Sequence, residues 1–181
     1  MPDVLILYAS KHGHTAKIAR RIAETMRKSG LDPDLRSAES ADEMTPSAYK
    51  AVVVGASVHA GHHQREIVDW AKRHQAELAG KPSAFFSVCL AIADDTDEAR
   101  AAARKYIDDF EDETGWTADT TTTFAGALQY LEYDFLTRTL IRLMMRHQGH
   151  PTDTSRDFDY TDWDAVERFA TEFAAKAGVS A

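Results

Sequence analysis

Two clusters of small, hydroxyl-bearing and imidazole residues, each following an apolar run, carry the chemistry this chain can offer. The first, Ser10-Lys11-His12-Gly13-His14-Thr15, follows Val4-Leu5-Ile6-Leu7-Tyr8. Two hydroxyls, a glycine that lets backbone approach closely and the open amides at the first turn of a following helix form a concave donor set that attracts a dianion such as a phosphate. Serine and threonine flanking a glycine also make an ordinary capped helix start, so the spacing by itself leaves both readings open. The second cluster, Ala56-Ser57-Val58-His59-Ala60-Gly61-His62-His63, follows Ala51-Val52-Val53-Val54-Gly55. Its small residues allow backbone amides to approach a flat ring, and its hydroxyl and imidazoles can orient one.

Several other chemistries lack their residues. The glycines of G-x-G-x-x-G and of G-x-x-x-x-G-K-[ST] are missing, which removes the dinucleotide fingerprint and the P-loop. No Ser-His-Asp arrangement or G-x-S-x-G elbow occurs. His59, His62 and His63 have no carboxylate at helical spacing and no second ligand cluster, so a metal reading has little support. Cys89 is the single cysteine. It excludes an internal disulfide and reads as a small hydrophobe at the end of a buried strand.

These clusters need strands to deliver them. Apolar runs alternate with amphipathic stretches, the βαβ pattern of a parallel sheet covered on both faces. Val4 to Tyr8 is the first strand, and a helix from about Thr15 to Ser29 places Ile18, Ile22 and Met26 at i, i+4, i+8 before Gly30 ends it. A weaker strand around Pro33 to Arg36 belongs at the sheet edge. Ala51 to Gly55 is the third strand, and a helix from about Gln64 to Leu78 follows. Ser83 to Val88 is the fourth strand, Thr96 to Glu113 an acidic helix, and Thr121 to Ala127 a fifth strand. Phe158-Asp159-Tyr160 reads as a resumed strand, and Thr161-Asp162-Trp163-Asp164 as a capping box for a last helix with Val166, Phe169, Ala170 and Phe173 inward. In a doubly wound sheet of order 2-1-3-4-5, ligands bind outside the carboxyl ends of the strands where the winding reverses, between the first and third strands. Both clusters meet there, with Val88-Cys89-Leu90-Ala91 after the fourth strand.

At 181 residues the chain fits one domain, 1–181. The net charge of −8 argues against a nucleic-acid partner. The N-terminus lacks the layout of a signal peptide and no run is long enough to span a membrane, so we expect a cytoplasmic protein. Charge is unevenly placed: between Asp94 and Glu113 nine acids face three bases, whereas between Phe135 and His150 Arg138, Arg142 and Arg146 stand without an acid.

The first cluster fits S/T-x-x-G-x-T, the turn with which flavodoxins hold the phosphate of FMN. Together with Gly55-Ala56-Ser57-Val58-His59-Ala60-Gly61-His62, Lys81 to Val88, Phe124-Ala125-Gly126-Ala127-Leu128, and Thr152-Asp153-Thr154 through Tyr160-Thr161-Asp162-Trp163, it resembles the flavodoxin-like, menaquinone-dependent protoporphyrinogen IX dehydrogenases of haem synthesis over almost the whole chain. The resemblance implies an α/β, flavodoxin-like three-layer sandwich with a five-stranded parallel sheet and a long insert in or after the fifth strand. It implies FMN as cofactor, a porphyrinogen as substrate and menaquinone as acceptor. By position, Ser10, Lys11, His12, Gly13, His14 and Thr15 would hold the phosphate. Ala56, Ser57, Val58, His59, Ala60 and Gly61 would meet the isoalloxazine, and Val88, Cys89, Leu90 and Ala91 its far edge. The family offers no agreed acid or base to carry over, and His59 is the candidate here. The start of the insert is arginine-rich in characterised relatives but reads Gln129-Tyr130-Leu131-Glu132-Tyr133-Asp134 in this chain.

The segment 129–157 exceeds what a minimal five-strand domain needs, and insertions of that size are usually functional. Read as a helix, Phe135 to Met145 puts Leu136, Leu140, Leu143 and Met144 on one stripe and Arg138, Arg142 and Arg146 on another. Such a helix suits an anionic membrane surface or the rim of a pocket for an apolar tetrapyrrole carrying carboxylates. Packing on the domain's own sheet, or on a second copy of the chain, explains the stripe equally well. Two other redox roles stay open: an FMN electron carrier docking through its acidic helix, and an FMN-dependent NAD(P)H:quinone reductase. A flavin-free response-regulator-like domain is disfavoured, because Ser10 and Gly55-Ala56-Ser57 stand where an acidic pocket would be.

Overall fold

The structure is a computed structural model and describes residues 2–90, 96–128, 139, 141–143, 146 and 158–179. Five parallel strands form its centre: β1 (Val4–Tyr8), β2 (Pro33–Ser37), β3 (Ala51–His59), β5 (Ser83–Cys89) and β6 (Thr120–Ala125), laid side by side as β2-β1-β3-β5-β6. This is the expected 2-1-3-4-5 winding once the short β4 (His62–His63), which pairs antiparallel with β3 and makes a sixth strand, is left out of the count. Helices α1 (His14–Lys28) and α5 (Trp163–Val179) cover one face. The other carries α2 (Arg65–Arg73), α3 (Gln75–Leu78) and α4 (Asp97–Thr114).

The period-two alternation of strand side chains builds two cores from one sheet. Val4, Ile6, Val53 and Phe86 turn towards Ile18, Ile22 and Met26 of α1 and Val166, Phe169 and Phe173 of α5. Leu5, Leu7, Val52, Val54 and Phe85 turn towards Ile67 and Trp70 of α2 and Ile107 and Phe110 of α4. Gly55 is dictated by this packing: a Cβ there would lie 2.0 Å from Phe86 Cζ, well inside van der Waals contact.

Three stretches depart from the sequence expectation. The third strand does not stop at Gly55 but runs to His59 and folds back through Ala60 and Gly61, at φ 49° and 84°, into β4. Two successive positive φ values are those of the tight hairpin turns that match strand twist. The expected loop is therefore a β-ribbon, hidden in the sequence because its small residues and histidines lack an apolar alternation. The helix expected over 64–78 breaks at His74, whose ψ of 13° leaves the helical region and whose ring sits 5.0 Å from that of Trp70. Finally, β8 (Phe158–Asp159) does not rejoin the central sheet. It pairs antiparallel with β7 (Ala127–Leu128), Leu128 opposite Phe158 and Ala127 opposite Asp159. The segment 129–157 thus leaves and returns at one point beside the end of β6. Its expected helix lies mostly outside the described residues; Thr139, Ile141, Arg142, Leu143 and Arg146 are described, and all are helical.

Candidate functional site

At the carboxyl ends of β1, β3 and β5, where the winding reverses, a cavity of about 380 Å³ opens. Its walls include Ser10, Lys11, His12, His14 and Thr15 from the turn after β1, Ser57, Val58, His59, Ala60 and Gly61 from the β3–β4 ribbon, and Val88, Cys89 and Leu90 from the end of β5. Of the residues expected around a cofactor, the structure gathers these thirteen on one cavity. Gly13 and Ala56 do not line it. Gly13 is the left-handed N-cap of α1, at φ 83°, and Ala56 is fully buried in the core beneath the ribbon. Ala91 lies outside the described residues.

The turn after β1 fits an anion. Gly13 caps α1 without a side-chain hydrogen bond, which leaves the amides of the first turn uncovered by any side chain. The Ser10 hydroxyl is buried and has no hydrogen-bond partner among the described residues. A buried orphan hydroxyl costs about 1–3 kcal/mol unless something satisfies it. A phosphate oxygen does, and the adjoining Lys11 adds charge.

His14 joins this turn to the far end of the insert. Its Nε2 stands 2.7 Å from Thr161 Oγ1, and the Thr161 hydroxyl donates to the Ala125 carbonyl at 3.0 Å. Thr161 has one proton and spends it on Ala125, so the His14 Nε2–H is the donor to Thr161. Asp159 receives the Thr161 amide at 3.0 Å and Lys17 Nζ at 3.0 Å. Burial pushes the His14 imidazole down from its ordinary range, against the pull of Asp159. Asp162 caps α5 by accepting from the Ala165 amide at 2.9 Å, which frees the Thr161 side chain for this clasp. The expected capping box is thus replaced by a single Asp cap.

The ribbon is held from below. Gln64 accepts the Ser57 amide at 3.0 Å and donates from Nε2 to Ser57 Oγ at 2.6 Å, while Ser57 Oγ lies 3.0 Å from His59 Nε2. His63 Nε2 meets the buried Ser87 hydroxyl at 2.9 Å, and its ring contacts Phe85 and Phe110 edge-on. Burial drives the His63 pKa down to about 4. The His59 pKa is also lowered, by burial first and then by Lys11 and His12.

Four lining residues escaped the sequence reading: Tyr106 of α4, Gly126, Ala127 and Ile141. Gly126 and Ala127 belong to the Phe124–Leu128 run, which marked them without giving a role. Tyr106 had a signal in its position, an aromatic one residue before the buried Ile107 on an otherwise acidic helix. Ile141 lines the cavity together with Leu90, so the insert supplies part of the wall. Leu143 is 61 % exposed and Arg142 and Arg146 are exposed as well, so these three stand in solvent rather than in the cavity. Arg138, Leu136, Leu140 and Met144 lie outside the described residues. Among the described residues no group of histidine, cysteine and acid side chains could hold a metal, and no helix is long and apolar enough to cross a membrane.

Comparison with known proteins agrees with this geometry. The family model described as a flavodoxin domain matches residues 5–155. A curated protein of Leishmania major named protoporphyrinogen IX dehydrogenase (quinone) is 36% identical over 96% of this chain and 75% of its own length. The Escherichia coli K12 protein of the same name is 34% identical over 94% of this chain and 93% of its own. Among solved structures, oxidised flavodoxin 2 from Bacillus cereus superposes with a TM-score of 0.58 at 21% identity, covering 96% of this chain and 99% of that one, a likeness of fold.

Proposed function

This chain belongs to the flavodoxin-like family of quinone-linked protoporphyrinogen IX dehydrogenases, and on that premise we propose that it binds FMN and oxidises protoporphyrinogen IX to protoporphyrin IX with menaquinone as electron acceptor. The observation that carries the proposal is the buried hydroxyl of Ser10, which has no hydrogen-bond partner among the described residues, beside the Gly13-capped start of α1 on the wall of a cavity that a residue of the insert also lines. A bound flavin supplies a two-electron acceptor that a quinone can reoxidise. Ser10, Lys11, His12, Gly13, His14 and Thr15 hold its phosphate, with Ser10 and Thr15 offering hydroxyls and Lys11 countercharge. Ser57 to Gly61 and Val88 to Leu90 flank its ring. The phosphate is what favours FMN over riboflavin.

The insert brings the organic partners. Ile141 and Leu90 put half-buried apolar side chains on the cavity wall, which suits a tetrapyrrole. Arg142 and Arg146 are available to carboxylates or to the anionic cytoplasmic face of the cell membrane, where a lipid-soluble quinone resides, and Arg138, four positions earlier in the sequence, is proposed for the same role. The exposed Leu143 beside them suits contact with such a surface. The carrier role is less favoured, because the acidic face of α4 is partly neutralised from within: Arg100 pairs with Asp97, Arg104 with Asp108 and Lys105 with Asp109.

The test is porphyrin fluorescence in anaerobic mixtures of FMN-loaded protein, protoporphyrinogen IX and a menaquinone analogue. A quinone-dependent rise is expected. No rise above the protein-free mixture, with flavin demonstrably bound, would return the chain to the carrier role.

A further inference from the structure

The hydrogen bonds around Ser57 fix where its proton lies. A backbone N–H can only donate, so the Ser57 amide assigns Gln64 Oε1 as the acceptor and Gln64 Nε2 as the group that donates to Ser57 Oγ. The Ser57 hydroxyl then has its own proton left to place, and His59 Nε2, 3.0 Å away, is the acceptor it meets among the described residues. With the Ser57 proton on that acceptor, His59 is a neutral imidazole protonated on Nδ1, the minority form of a free histidine side chain. Gln64 is also the N-cap of α2, yet its side chain makes no cap bond and reaches back to Ser57 instead. Ser57 and His59 line the cavity and Gln64 does not.

We propose that Ser57 and His59 form a proton relay out of the cavity, set in direction by Gln64, in which Ser57 Oγ takes a proton from a heterocyclic N–H of the cavity's occupant while its own proton passes to His59 Nε2. The step breaks the ligand N–H bond and the original Ser57 O–H bond, and forms a new Ser57 O–H bond and a His59 N–H bond. The ligand nitrogen keeps its electron pair, and the imidazolium returns a proton to water. Ser57 is the contacting residue, His59 the terminal acceptor and Gln64 a positioning residue. The inference rests on the proposed function for the identity of the occupant, since that reading sets the flavin ring against Ser57 and reoxidation of the reduced ring by a quinone must release N–H protons.

The charges around His59 suit this role. Burial first, and then Lys11 and His12 of the turn after β1, lower the His59 pKa in the resting protein. A dianion held by that turn offsets their charge and makes His59 more basic when the site is filled. The relay is thereby strengthened by occupancy of the phosphate site.

The decisive experiment is imidazole nitrogen NMR on the isotope-labelled full chain without flavin. Wild type should show His59 as the Nδ1–H tautomer at neutral pH, Ser57→Ala should move it towards Nε2–H, and Gln64→Leu should give a mixture. Adding inorganic phosphate should raise the His59 titration midpoint in wild type. A wild-type His59 in the Nε2–H form, or one indifferent to Ser57→Ala, overturns the relay. In the FMN-loaded protein, His59→Gln should lower kcat roughly 100-fold at unchanged KM and remove the acidic limb of its pH profile. Turnover with that limb intact overturns the relay and leaves the proposed function standing. If wild type does not oxidise porphyrinogen, the function fails and the NMR result alone decides the relay.

Discussion

His14 and Thr161 are 147 positions apart in sequence, yet His14 Nε2 lies 2.7 Å from Thr161 Oγ1. One partner opens the helix that follows the turn after β1, and the other lies two residues past the ribbon at which the insert returns. Because Thr161 also holds the Ala125 carbonyl, its hydroxyl ties together the end of β6, the return of the insert and the wall of the cavity. The start of α1 and the return of the insert are therefore joined through one hydroxyl.

Thr161→Val keeps the shape and deletes the hydroxyl. It leaves the His14 N–H and the Ala125 carbonyl without their partner, at a cost of about 1–3 kcal/mol. We expect a fall in Tm of several degrees, since about 1 kcal/mol shifts a domain of this size by about 2–4 °C. Flavin affinity should fall as well. Thermal unfolding with and without FMN checks both, and an unchanged melting curve would show that the clasp contributes nothing.

Ser10→Ala should separate the phosphate from the ring. The hydroxyl has no partner among the described residues, so its removal should leave the flavin-free protein as stable as before or slightly more so. FMN affinity should drop roughly 10-fold to 100-fold, the worth of a charge-assisted hydrogen bond of about 1.5–3 kcal/mol. Riboflavin affinity should not change. Titration followed by flavin fluorescence reads the two affinities, and thermal unfolding without flavin reads the stability.

His63 makes stability pH-dependent. Its folded pKa is depressed to about 4 from an ordinary 6.5. Between those values the unfolded chain binds the proton and the folded chain does not, so stability is full above 6.5 and declines as pH falls towards 4. The loss by pH 4 is about 3 kcal/mol for this group. Urea unfolding across this range should show that decline, and His63→Phe should flatten it. The residual slope belongs to His14 and His59, which burial shifts in the same direction.

Arg142 and Arg146 stand in solvent on the insert helix, so reversing them should leave the fold intact. Arg142→Glu with Arg146→Glu should raise KM for the porphyrinogen if they receive its carboxylates. If they instead meet anionic lipid, binding to vesicles containing an acidic phospholipid should be lost while KM holds. Unchanged KM together with unchanged sedimentation would remove both roles.

The strands that deliver the site were legible because buried parallel strands are continuous apolar runs, as in Val4 to Tyr8 and Ala51 to Val54. The turn after β1 was legible because its hydroxyls and glycine sit directly after such a run. The ribbon over 56–63 was not. Its geometry comes from pairing Val58 with His63 and from positive φ at Ala60, which local propensity does not announce. Nor could sequence spacing join His14 to Thr161, or bring Tyr106 and Ile141 to one cavity, because those contacts arise from the closing of the sheet layers. The bond from Gln64 to Ser57 likewise depends on a side chain seven positions away turning from the helix it caps.

A single-turnover experiment tests the central claim most directly. FMN-loaded protein mixed anaerobically with protoporphyrinogen IX in the absence of quinone should lose its yellow absorbance as porphyrin fluorescence appears, and a menaquinone analogue added afterwards should restore the colour. Flavin that stays yellow in the presence of excess protoporphyrinogen, or that bleaches without formation of porphyrin, would contradict the account.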